Sequence, residues 1–206
     1  MYLPEAFKLD DLETLEEVMR RFSFATLVSE RDGEIEASHL PLIYDRSKHA
    51  LSGHFAKANP HWRHFEESGK ALAIFHGPHA YVSPAMYATE PNVPTWAYVT
   101  VHVRGVIRLL TDDEAVEQII SMVDAFDPDL VGASKEPEYV LSKVRGVKAF
   151  ELKIEKLEGK FKVDQNKLDQ DRLAAGAELV KSSDPQICAI GRMYLQGPAV
   201  LTQAEP

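Results

Sequence analysis

The chain has 206 residues, 45% of them apolar, which is enough to bury one substantial core, and no long polar or low-complexity stretch divides it. Its 32 acidic against 23 basic residues give a formal charge of -9, which disfavours nonspecific attraction to phosphate backbones. A single cysteine, Cys188, excludes an intrachain disulfide framework, and no apolar run approaches the roughly 20 residues that span a bilayer, so a cytoplasmic protein with no membrane partner is expected.

Asp10 and Asp11 precede Leu12, Leu15, Val18, Met19 and Phe22, apolar residues three or four apart with glutamates between them and Arg20-Arg21 at the end. The pattern predicts an amphipathic helix charged as its macrodipole favours. Phe24 to Ser29 and Ile35 to Tyr44 read as strands joined by the hairpin turn Arg31-Asp32-Gly33, and another strand runs over Leu51 to Phe55. Asn59-Pro60 opens a helix carrying Trp62, Phe65 and Glu66 that ends near Ser68-Gly69. Ala71 to Phe75, Ala80 to Ser83 and Tyr98 to Leu110 are further strands, and repeated short strands separated by turns favour a barrel. Asp112-Asp113 cap a second helix that Pro128 ends, Glu136-Pro137-Glu138 starts another, and Ala149 to Ile154 is a closing strand. Leu168 to Val180 is the expected final helix. The division that follows is a barrel domain over 1-160 and a C-terminal helical extension over 161-206 packed on it.

Two stretches carry the candidate chemistry. Gly53-His54-Phe55-Ala56-Lys57-Ala58-Asn59-Pro60-His61-Trp62 packs hydrogen-bonding groups into a turn directly after an apolar strand, an arrangement that can hold an anionic small molecule. Gly77-Pro78, Tyr81-Val82-Ser83-Pro84, Tyr87 and Val93-Pro94-Thr95-Trp96-Ala97-Tyr98 read as two aromatic loops with hydroxyls, suited to walling a flat ligand.

These segments, together with Met1-Tyr2-x-Pro4-x-x-Phe7, His39-Leu40-Pro41 and Lys162-x-x-Gln165-Asn166, resemble the PaiB-like proteins almost end to end. That is a family of FMN-binding split-barrel proteins commonly labelled negative transcriptional regulators. The resemblance implies an α+β fold, a six-stranded antiparallel split barrel with flanking helices, and a homodimer with flavin sites at its subunit interface. Three positions depart from the family pattern: Met86 stands in place of Trp, Ala97 in place of Asn and Asp164 in place of Ser.

If FMN is the ligand, Lys57 and Asn59 suit its phosphate, and His54 joins them if it is protonated or donates through one ring nitrogen. Trp62, Tyr81, Tyr87, Trp96 and Tyr98 supply rings to stack on the isoalloxazine. Backbone groups around His39, Leu40 and Pro41, with Ser83 or Thr95, suit its polar edge, and Lys162, Gln165 and Asn166 can reach a ligand of the same or the partner subunit. Each of these residues also has a plain structural role open to it: Asn59 and Ser83 as caps, the aromatic rings as core or dimer interface. Two other functions stay open, an FMN-dependent oxidoreductase using reduced nicotinamide and a haem-binding or haem-handling protein with His54 or His79 on the iron.

His61-x-x-His64 and His76-x-x-His79 each pair two imidazoles, but no third ligand stands at a recognisable spacing and no metal is expected. There is no Gly-x-Ser-x-Gly elbow and no Walker or Rossmann glycine signature, so any redox chemistry falls to the flavin. No helix-turn-helix is evident. Clustered basic residues are confined to Arg20-Arg21 and to Lys143, Arg145 and Lys148, so direct DNA binding is not expected.

Overall fold

The computed structural model describes residues 1–67, 69–127, 142 and 144–202. Among the described residues eight strands form one antiparallel sheet: β1 (Lys8–Leu9), β2 (Phe24–Arg31), β3 (Glu34–Pro41), β4 (Ile43–Asp45), β5 (Ala50–Ala56), β6 (Gly69–Val82), β7 (Thr95–Leu109) and β8 (Val147–Lys162). Their order is β3-β2-β6-β7-β8-β5-β4, and β1 pairs with β8 outside that row. The α-helices are α1 (Leu12–Arg21), α2 (Asp112–Phe126), α3 (Asp169–Leu179) and α4 (Pro185–Gln196).

The sheet has eight strands rather than the six expected. The additions are β1 and β4, two and three residues long, too short to show any alternation in sequence. The β2–β3 hairpin turns where predicted, with Asp32 and Gly33 both at positive φ, 55° and 87°, the geometry in which glycine is unstrained. Gly77-Pro78 is not a loop. Strand β6 runs straight through it, because a glycine there lets Val99 of β7 approach; a Cβ at Gly77 would sit 3.0 Å from that of Val99. Thr95, Trp96 and Tyr98 accordingly lie on β7 and not in a loop. The closing strand reaches Lys162, far past Ile154, through a stretch whose charged residues hide its strand character: Glu155 and Lys156 are exposed, while Glu158 and Lys160 are buried.

Helix α1 begins at the expected place, with the Asp11 carboxylate accepting from Thr14 N at 2.8 Å. The cap of α2 is Thr111, which forms a reciprocal capping box with Glu114, while Asp112 and Asp113 occupy the first turn. Helix α4 corrects the expectation that the helix over Leu168 to Val180 is the last. Asp184 caps α4, Pro185 opens it, and it buries Ile190, Met193 and Tyr194. The breaks expected at Ser68 and Pro128, and the helix expected from Glu136, fall outside the described residues.

The chain divides into two compact units built from interleaved segments: Met1–Phe22, Phe75–His102 and Glu158–Pro206 in the first, Ser23–Ile74 and Val103–Leu157 in the second. The first buries Leu15, Val18, Met19, Phe75, Val82, Val101, Phe161, Leu179 and Tyr194. The second is centred on Phe55, whose ring lies 4.9 Å from Phe150 and 6.0 Å from Phe65, with Leu27, Leu51 and Ile107 also fully buried. Among the described residues no helix is long and apolar enough to cross a membrane.

Candidate functional site

In the second unit, β5 ends at Ala56 and the chain turns through Lys57, whose amide donates to Gly146 O at 2.8 Å. The Trp62 indole N–H donates to Lys57 O at 3.0 Å, which holds the ring against the turn. The Arg63 guanidinium lies 5.6 Å from the Trp62 ring centroid and the Lys148 ammonium 5.4 Å from it. Lys57 Nζ reaches Arg145 O at 3.5 Å. Two cations, Arg63 and Lys148, thus flank one indole, whose N–H is held by the Lys57 carbonyl, while the Lys57 ammonium reaches the Arg145 carbonyl; among the described residues none of these four residues pairs with a carboxylate. Pairing of β5 with β8, which sets Phe55 opposite Lys148 and Ala56 opposite Val147, assembles this shelf from segments some ninety residues apart.

Asn59 is a cap, as its plain reading held, but not of the expected α-helix: Pro60–Phe65 is a single 3₁₀ stretch of six residues. The Asn59 side-chain oxygen accepts from His61 N at 3.0 Å, and its amide nitrogen donates to Ser38 Oγ at 2.9 Å. Behind it, His61 is wholly buried, with Ser38 Oγ 2.8 Å from Nδ1 and Ser29 Oγ 2.9 Å from Nε2, and Ser29 Oγ in turn lies 2.8 Å from His64 Nδ1. Burial, helped by the neighbouring His64, lowers the His61 pKa to about 4. An anion at this turn would therefore meet side-chain cations and no α-helix N-terminus.

His54 lies on β5, half-buried, with Nδ1 buried and without a hydrogen-bond partner among the described residues. Burial lowers its pKa, so the ring is neutral at neutral pH and can serve a ligand only as a hydrogen-bonding imidazole. His39 is exposed, 6.5 Å from the Phe24 ring; Leu40 is buried; Pro41 ends β3 half-buried.

The remaining expected residues lie in the first unit. Tyr81 and Trp96, 49% and 56% exposed, meet edge to face with centroids 6.0 Å apart, and His79 packs 6.1 Å from Trp96. Ser83 caps a 3₁₀ turn, Pro84–Met86. The Lys162 ammonium is held by Thr95 Oγ1 and, at 2.6 Å, by Trp96 O. Gln165 folds back on Phe161 O and Val163 N, and Asn166 is exposed. Tyr98 is half-buried with the Lys160 ammonium 5.4 Å from its ring centroid.

Tyr87 offers no free ring edge. It is buried, and its hydroxyl donates to Asp164 Oδ2 at 2.5 Å, the same oxygen that accepts from Tyr194 at 2.9 Å. Burial and the Asp164 carboxylate raise the pKa of both phenols, which stay protonated and donating. Asp164 is 4% exposed, at φ 57°, so it is an internal polar pin, not a carboxylate facing a phosphate. Ala97, another departure from the family pattern, faces the core and is wholly buried.

The antiparallel sheet with its flanking helices is that of the FMN-binding split barrels, a class that comparison with known proteins makes specific. Residues 1–156 match the family described as "Putative FMN-binding domain", and the chain belongs to that family. It is 33% identical over 191 residues to the Bacillus subtilis protein named protease synthase and sporulation protein PAI 2, covering 90% of this chain and 92% of that one. Among solved structures, the FAD and heme binding protein from Mycobacterium smegmatis has a TM-score of 0.62 at 18% identity, covering 75% of this chain and 73% of that one. The flavocytochrome Anf3 from Azotobacter vinelandii has a TM-score of 0.62 at 13% identity, covering 76% and 69%. These two likenesses are of fold.

Arg63, Arg145 and Lys148 were missed as ligand-binding candidates by sequence reasoning, which treated the last two only as part of a basic group relevant to DNA. The signal that could have joined them to Lys57 is a strand pairing, which the sequence does not display locally.

Proposed function

We propose that this protein is a homodimeric FMN-binding protein of the PaiB type that grips the cofactor by its phosphate at the Trp62 shelf. The observation that carries this reading is the pair of cations, Arg63 and Lys148, on one indole whose N–H is held by the Lys57 carbonyl, with no carboxylate pairing Lys57, Arg63 or Lys148 among the described residues, in a chain with nine more acidic than basic residues. Like charges held close without a counter-ion repel one another, and a phosphate relieves that repulsion. Lys57 and Lys148 hold the phosphate, Asn59 keeps the turn in shape, and the neutral His54 offers a buried acceptor or donor. Bound FMN supplies electron-transfer chemistry, which the side chains described here do not provide by themselves.

The dimer reading rests on the exposed Tyr81–Trp96 pair with Val93, 69% exposed, an apolar patch that a second copy covers. The regulatory role carried by the family label is then exercised through the flavin or a protein partner. The same cations would also meet a nucleic-acid backbone, but among the described residues no base-reading element accompanies them, so flavin stands first.

Lys57→Ala is expected to weaken FMN about tenfold or more, since a charge-assisted contact is typically worth about 1.5 to 3 kcal/mol, and to spare riboflavin, which lacks the phosphate. Fluorescence titration of both ligands checks this. Equal weakening of the two, or no FMN binding by the parent protein, overturns the assignment; tight, salt-sensitive binding to one DNA operator would put the nucleic-acid reading ahead of it.

A further inference from the structure

The first unit contains a cavity of about 490 Å³ that the flavin reading does not use, lined by Tyr2, His76, His79, Tyr98, His102 and Lys160 among others. Lys160 is only 7% exposed, and a lysine is rarely so deeply buried without a partner anion. Its ammonium sits between two rings, 5.3 Å from the Tyr2 centroid and 5.4 Å from that of Tyr98. Of its three N–H groups one is used, donating to Tyr2 O at 3.2 Å. Among the described residues no carboxylate pairs with it; the nearby Glu158 carboxylate is taken by the Met1 ammonium at 3.0 Å.

We propose that this cavity binds a small aromatic carboxylate, its anionic group on Lys160 Nζ and its ring between the phenol and imidazole walls. The chemistry selects this class. Among the described residues Lys160 is the only lysine or arginine in the lining, the Met1 ammonium there being paired with Glu158, and it has two hydrogens to give, which matches the single charge and two oxygens of a carboxylate better than a phosphate dianion. Two tyrosine and three histidine side chains present flat faces that favour an aromatic body over an aliphatic one. The volume lies within the usual range for small-molecule sites. No step of this argument depends on FMN.

The test is isothermal titration of the full chain with benzoate, and with acetate and benzyl alcohol as arms that remove the ring and the charge in turn. Saturable binding of one benzoate per chain is expected, at least about tenfold tighter than either control, and lost in Lys160→Gln, which keeps a donor for Tyr2 O but carries no charge. Unchanged benzoate binding in Lys160→Gln overturns the proposal. So does an absence of saturable binding by the parent, including the case in which Lys160→Gln turns a dimer into a monomer, which would assign the ammonium to a carboxylate of a second copy. Should Lys160→Gln not fold, the parent's tyrosine and histidine ring resonances must shift on benzoate addition, and their failure to do so is equally decisive. Lys57→Ala should bind benzoate as the parent does, so that failure of the flavin assignment and failure of this one are told apart.

Discussion

The Asp164 pin and the Trp62 shelf are both clusters of polar groups, and they are built on opposite plans. At the pin, one buried carboxylate oxygen accepts two phenolic hydrogens, and donors and acceptor are matched inside the chain. At the shelf, two cations, Arg63 and Lys148, lie against one ring with no acid to answer them among the described residues. A matched cluster holds a fold together; an unmatched one is open to an anion from outside. On that criterion the tyrosine the family resemblance offered as a flavin wall, Tyr87, belongs to the architecture, while Arg63 and Lys148 are candidates for the proposed site.

The sharpest way to break this contrast is Asp164→Ala. It leaves two buried phenols without an acceptor at a cost of about 1 to 3 kcal/mol each, so a loss of about 4 kcal/mol is expected in chemical denaturation. A loss under about 1 kcal/mol would show the pin to be no pin. Next in size is a pH effect at the buried imidazole behind the shelf. His61 takes a proton near 6.5 in the unfolded chain but only near 4 in the folded one, so the unfolded chain binds the extra proton first as pH falls. The contribution is therefore complete above pH 6.5 and lost between 6.5 and 4, by no more than about 3 kcal/mol. His61→Asn should flatten the stability profile over that window, and an unchanged profile would remove His61 as its cause. The smallest expected change is at the shelf itself: Lys148→Ala should alter stability by no more than about 1 kcal/mol while lowering FMN affinity, because its contact with the Trp62 ring is of a kind worth about 0.5 to 1 kcal/mol near a surface. A clear destabilisation with intact FMN affinity would reverse the contrast.

How much of this could be read beforehand depended on how far apart the partners lie in sequence. Helix α1, the Asp32-Gly33 turn and the strand leading to Lys57 are local patterns, and each stands where periodicity and turn chemistry put it. Repeated short strands already favoured a barrel; the family resemblance supplied its split form and the flavin, and the flavin follows from no periodicity. What stayed hidden was contact between distant residues. Lys148 reaches Trp62 only because β8 pairs with β5; Asp164 is buried only because Tyr194 arrives on a helix thirty residues later; and the burial of Lys160 needs a strand longer than its charged sequence suggests. Gly77-Pro78 misled for the opposite reason, a strong local turn signal overridden by the close approach of Val99.

The hydrogen bonds behind Asn59 have a direction. Because the Asn59 oxygen is occupied by His61 N–H, its NH₂ faces Ser38 and donates to that hydroxyl oxygen. The row continues from Ser38 Oγ to His61 Nδ1, and from His61 Nε2 through Ser29 Oγ to His64 Nδ1. One backbone amide thus orients the amide side chain from which the whole row starts. The turn that bears Lys57 is thereby moored by side chains to two strands, β2 through Ser29 and β3 through Ser38, and does not depend on its own short 3₁₀ stretch to keep its place.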